Sequence, residues 1–328
     1  MKKFKILLLL CCILFSVCGC GEVKKIEPTL KEIKNSDYTY SYKNSKGKII
    51  FSHLRYQLFF KDGLSVYEKD GKYGVVNTNG DTVIEPMYNW VAGYNDGMCA
   101  CFYESNEKTY LVYYDDKKRF AIEPMRCDVT LNSSNGYDCS FYNGIALYRN
   151  PDTHKYGYID KKGKLIIPAI YDWAEPFISD ITVVFINNKW KFIDKTGKVS
   201  LQFKCQQMQP FSDGLAAVMV GYKWGYINKL GNWVIKPQYG SFEDGDGEYI
   251  AYNFYKGYTG VYLGVGQASS IENYPQRFAL IDKTGKILDG KKYDNLYQTQ
   301  NEKGEMIYHV VKNGEMYWIN YCGKRINL

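Results

Sequence analysis

Lys223-Trp-Gly-Tyr-Ile-Asn-Lys-Leu-Gly231-Asn-Trp-Val-Ile-Lys-Pro237-Gln-Tyr239 holds two short β-favouring runs around a turn. Aromatic and β-branched residues suit a pleated, half-buried surface. Between the runs, Asn228 can bond its own backbone, and Gly231 supplies the φ > 0 position that closes a short hairpin. Just upstream, Leu215-Ala-Ala-Val-Met-Val220 is apolar on both alternating faces, so both faces of that strand are expected to be covered. Gly225 leaves room for a neighbouring sheet or backbone to come close.

The same pattern returns along the chain. Lys155-Tyr-Gly-Tyr-Ile-Asp-Lys-Lys-Gly163, Lys189-Trp-Lys-Phe-Ile-Asp-Lys-Thr-Gly197, Phe278-Ala-Leu-Ile-Asp-Lys-Thr-Gly285 and Lys72-Tyr-Gly-Val-Val-Asn-Thr-Asn-Gly80 are copies. Gly47 and Gly323 mark worn copies at the ends, and Lys118 replaces the glycine in the poorest one. Spacings of 33, 38, 45, 34, 34, 54 and 38 residues separate these markers. The turn glycines expected at φ > 0 are Gly47, Gly80, Gly163, Gly197, Gly231, Gly285 and Gly323. A repeat with covered faces means stacked units, so the fold is all-β. Four strands per unit give seven antiparallel units from about Tyr56 to Leu328, preceded by a two-stranded piece at Tyr38 to Phe51. Such units arranged in a ring make a β-propeller; because 34 residues is short for a blade, an open three-stranded β-solenoid is the alternative.

These motifs resemble the bacterial WG-repeat family, over about residues 40–328. The resemblance implies a stacked β-repeat fold; it implies no shared activity.

Residues 1–20 join a positive start to an apolar run from Ile6 to Val17 and then Val17-Cys18-Gly19-Cys20. That run is too short to span a bilayer and reads as a cleaved signal. Its end resembles the bacterial lipoprotein lipobox, which implies a diacylglyceryl group on Cys20. The expected organisation is therefore a signal peptide at 1–19, a tether at 20–37 and a repeat domain at 38–328. The chain is expected outside the cytoplasm, anchored to the membrane by lipid.

Composition narrows the function. A chain of 328 residues with 45% hydrophobic content has ample material for a core. Without Lys2, Lys3 and Lys5 the net charge falls from +7 to +4, which gives no argument for nucleic acid. Three histidines leave little material for a metal site, and neither a metal nor another cofactor is expected. No nucleophile elbow, P-loop or paired zinc motif occurs. Asp160, Asp194 and Asp282 sit at one repeat position beside lysines, where turn chemistry explains them, and no catalytic residue is assigned. Cys99 and Cys101 read as small core residues, while Cys127 and Cys139 flank an insertion and are the one pair considered for a disulfide.

Trp90, Trp173, Trp190 and Trp224 are able to stack on sugar rings, but their fixed repeat positions favour packing between units. Candidate ligand-binding residues are those that break the period: Tyr137 in the 132–139 insertion, and Tyr255, Tyr258, Tyr262 and Tyr274 in Tyr252 to Gln276. The expected function is binding of a protein or a cell-envelope glycan, with an envelope enzyme or a structural spacer as alternatives.

Overall fold

A computed structural model describes residues 29–117, 119–128, 138–243, 249–264, 267–268, 277–301 and 304–327. The protein is all-β, with small antiparallel sheets in a seven-bladed β-propeller arrangement. Within every blade the strands pair in chain order. The first blade comprises Leu64–Lys69, Lys72–Asn77 and Thr82–Tyr88. The second runs from Trp90 to Arg126, the third from Phe141 to Tyr171, the fourth from Trp173 to Gln202 and the fifth from Gln207 to Tyr239. The sixth is built on Tyr258–Tyr262 and Phe278–Asp282, with a 3-10 turn at Leu288–Gly290, and the seventh spans Asn295 to Ile326. Blades two to five and seven each hold four strands, which sets the three-stranded solenoid aside. The leading piece is larger than the sequence indicates. It has three strands, Lys31–Lys34, Tyr40–Lys43 and Ile49–Leu54, so the sheet starts inside the segment read as a tether. Buried Leu30, Tyr42 and Leu54 pack it into one hydrophobic cluster with Tyr67 and Val76 of the first blade.

The turn chemistry repeats. At Asn228 the side-chain oxygen accepts the backbone N–H of Leu230 and of Asn232, both at 3.0 Å, and Gly231 N–H donates to the Asn228 carbonyl. Gly231 lies at φ +81°, and the other six turn glycines at +76° to +88°. All of these turns except the one at Gly47 also touch the preceding unit. A Cβ on Gly231 would lie 2.8 Å from Leu201 Cδ1, and one on Gly163 would lie 2.6 Å from Ile122 Cγ2.

The glycine of the Trp-Gly motif has a different cause. Trp224 pairs with Tyr239 and Tyr226 with Ile235, so Lys236, Pro237 and Gln238 bulge opposite Gly225 alone. Gly74 and Gly157 face the same bulge. Proline has no N–H to give a ladder and sits well at a bulge. Where Val112 replaces the glycine, only Glu123 and Pro124 oppose it. Where Lys191 replaces it the proline is gone too, and Lys191 and Phe192 pair in step with Gln202 and Leu201. The approaching backbone thus belongs to the same sheet and not to a neighbouring one.

Blades are joined by buried tyrosines. Tyr113, Tyr158 and Tyr226 donate to the carbonyls of Cys139, Glu175 and Tyr252, at 2.7, 2.8 and 2.9 Å, in the strand or loop that opens the next blade. Phe141, Phe177 and Phe254 then pack on those rings at 4.8–4.9 Å. Burial and edge-to-face contact together make these joints the core of the molecule.

This topology creates two unlike edges. Turns between first and second and between third and fourth strands lie along one edge, here the turn edge. Second-to-third hairpins and blade-to-blade connections lie along the other, the loop edge. The long interruptions of the repeat leave the blades at the loop edge, after Arg126, after Tyr239 and after Tyr262. Two of them meet, since Ser241–Glu243 pairs antiparallel with Tyr249–Ile250 and parallel with Gln267–Ala268.

Candidate functional site

On the loop edge, where the third and fourth blades meet, aromatic and charged side chains form one connected patch. Trp173, the first residue of its blade, is 46% exposed, whereas the repeat tryptophan Trp224 is fully buried. Its ring rests 5.9 Å from that of Tyr156, and its indole N–H donates to Glu175 Oε1 at 3.0 Å. Strand register sets Trp173 opposite Phe185, and Phe185 opposite Trp190. Arg149 lies over the Tyr156 ring at 5.3 Å and pairs with Asp128 at 3.1 Å. His154 Nδ1 approaches the same Asp128 oxygen at 2.5 Å. Lys155 pairs with Asp172, and Arg126 with Asp152 at 3.2 Å. Burial pushes the Tyr156 hydroxyl above its usual range, so that group stays neutral.

Local sequence explains the gathering. The hairpin between the second and third strands of the third blade carries Asn150-Pro-Asp-Thr-His154, where the fourth blade uses only Asn187-Asn188. His154 sits at φ 57°, and its carbonyl accepts the Arg149 Nε–H at 3.2 Å. Asp128 opens the 127–140 connection and donates its backbone N–H to the Arg149 carbonyl. The extra hairpin length was legible in the sequence; the openness of Trp173 was not.

The candidate tyrosines separate. Tyr262 is buried against Phe278 at 5.2 Å and belongs to the joint between the sixth and seventh blades, so it is a core residue and not a contact for ligand. Tyr255 and Tyr258 flank a turn on the opposite, turn edge, where both pack on Tyr321. There Lys256 lies 5.0 Å from the Tyr321 ring. Elsewhere on that edge the same positions hold an ion pair, Asp96 with Lys161 at 3.1 Å and Asp213 with Lys283 at 2.8 Å. Lys256 and Tyr321 thus replace a blade-to-blade salt bridge with a cation–π contact. Tyr137, Tyr274 and Cys20 lie outside the described residues.

Cys127 and Cys139 are buried free thiols in one hydrophobic cluster and do not form the disulfide considered from sequence. Desolvation pushes Cys127 up to about 12 and Cys139 well above the ordinary thiol range. They act as apolar packing at the base of the insertion.

Fold and patch together define a repeat-built propeller with one elaborated edge. The WG containing repeat model matches residues 40–73, 73–102, 156–190, 192–224 and 224–264, together just over half of the chain. The chain belongs to the WG-containing repeat family. No curated protein matches it. Among solved structures, an uncharacterized protein from Listeria monocytogenes EGD-e is 15% identical, with 91% of this chain and 90% of that one covered, at TM-score 0.42. The Dos1 propeller is 12% identical, covering 90% and 82%, at 0.41. The WD40 domain of Toxoplasma gondii coronin is 12% identical, covering 81% and 74%, at 0.37. Likeness this remote transfers no role.

Proposed function

We propose that this protein is a lipid-anchored, extracytoplasmic binding module whose loop edge holds a protein or glycan of the cell envelope. The observation that carries the reading is that all three interruptions leave the repeat at the edge that bears the Trp173–Arg149–Asp128 patch. Loops on a rigid scaffold tolerate elaboration without disturbing the core, and binding faces arise there. The anchor rests on Val17-Cys18-Gly19-Cys20, where a lipidated cysteine would hold the propeller at the membrane surface.

Two measurements test this. Cys20→Ser should release the protein from the membrane fraction; unchanged retention with an N-terminus elsewhere removes the anchor. Replacing 129–137 by a short Gly/Ser link in the soluble 29–328 fragment should cut retention on purified envelope at least tenfold while the melt is kept. Retention equal to that of the parent fragment removes the loop edge as the binding face.

A further inference from the structure

We infer that the patch around Trp173 is a subsite for a neutral, hydroxyl-rich glycan, with one pyranose ring stacked on the indole. This deepens the binding-module reading and rests on it. Three observations select the ligand class.

The first is a fixed, open platform. Trp173 keeps nearly half its surface exposed while its N–H is held by Glu175 and its ring is flanked by Tyr156. A large aromatic face held in place loses little conformational freedom on binding. The apolar C–H face of a pyranose matches a ring of this size.

The second is the rim. Asp128, Arg149 and His154 form one linked set, with Arg149 over the Tyr156 ring that flanks Trp173, and Lys155 with Asp172 another, so acceptors and donors alternate around the platform. Adjacent sugar hydroxyls each donate and accept, and can bridge such pairs without stripping an isolated charge of its partner.

The third is balance. Asp128, Asp152, Asp172 and Glu175 face Arg126, Arg149 and Lys155, with His154 beside them, so neither sign dominates. A polyanion such as nucleic acid needs a field of uncompensated cations. A protein partner needs an apolar centre depleted in Lys, Asp and Glu. One open ring surrounded by ion pairs fits neither requirement.

The test uses the soluble 29–328 fragment with two probes, the tetrasaccharides of N-acetylglucosamine and of glucose, followed by saturation-transfer NMR. Transfer to the ring protons of one or both is expected. Trp173→Ala should weaken it at least tenfold in Kd, Trp173→Phe less. Trp90→Ala, at the matching position of the second blade, should leave it unchanged. Melting curves confirm that each variant folds. Transfer that survives Trp173→Ala overturns the assignment. No transfer from either sugar at millimolar concentration, with envelope retention still lost on replacing 129–137, overturns the glycan inference and leaves a protein partner for the module. Absence of both effects overturns the binding reading as well.

Discussion

Pro237 crosses so close above Gly225 that its backbone nitrogen would lie 2.6 Å from a Cβ on that glycine. The signature glycine is therefore a steric requirement of the bulge opposite it. Gly225→Ala should destabilise by about 1–3 kcal/mol, the usual cost of overpacking a rigid site. Lys191→Ala, at the same repeat position without the bulge, should stay within about 0.5 kcal/mol of the parent. Equilibrium denaturation of both variants checks the contrast. Equal effects would detach the glycine from the bulge.

Turn glycines combine two demands that the structure separates. Gly47 lies at φ +78° with nothing within 4 Å of a Cβ, whereas Gly231 has both φ +81° and the Leu201 contact. Gly47→Ala should show the backbone cost alone, about 1 kcal/mol. Gly231→Ala should cost more, and Leu201→Ala in the same chain should recover part of the excess. A double-mutant cycle with no coupling between residues 201 and 231 would contradict the contact.

Tyrosine hydroxyls at the blade joints should divide by partner. Tyr158 donates to the Glu175 carbonyl, so Tyr158→Phe should cost about 1 kcal/mol. Tyr308 is as deeply buried, yet its hydroxyl has no hydrogen-bond partner among the described residues. Removing an unpaired buried hydroxyl relieves desolvation, so Tyr308→Phe should be neutral or stabilising. Denaturant midpoints that rank the two in the opposite order would contradict these bonds.

Stability should fail on the alkaline side. Burial raises the hydroxyls of Tyr158, Tyr171, Tyr226 and Tyr239 above their usual range. Groups with a raised folded pKa contribute stability fully below the unfolded value, about 10, and lose it as pH rises through the folded value. Melting temperature should hold to about pH 9 and drop above pH 10, together with the rise of tyrosinate absorbance. On the acid side, the Thr196 and Thr284 hydroxyls hold Asp194 and Asp282 below the usual carboxylate range. Their contribution is present above about pH 4, is lost as pH falls through the lowered values, and is small because both are only partly buried and screened by solvent.

Turn positions, strand polarity and unit length were legible because hairpin closure needs particular residues at fixed spacing. The sixth blade was not. Tyr252 to Gln276 reads as an insertion, yet Phe254-Tyr-Lys-Gly257-Tyr-Thr-Gly-Val261 forms the start of a blade, with Phe254 and Val261 in the core. Its match to Phe211-Ser-Asp-Gly214-Leu-Ala-Ala-Val218 was masked by the displaced spacing and by Thr-Gly in place of Ala-Ala. Replacing that whole segment with a Gly/Ser loop should therefore abolish the cooperative melt. Openness at Trp173 was hidden for another reason. Whether an aromatic side chain is covered depends on what the adjoining blade presents, and a single repeat does not encode its neighbour.

Binding at the loop edge is tested most directly by amide hydrogen exchange on the soluble 29–328 fragment, with and without solubilised cell envelope. The account predicts new protection at 126–128, 149–156 and 172–174, and none at the turn-edge segments 95–97, 212–214 and 255–258. Protection confined to the turn edge, around Lys256 and Tyr321, would contradict it.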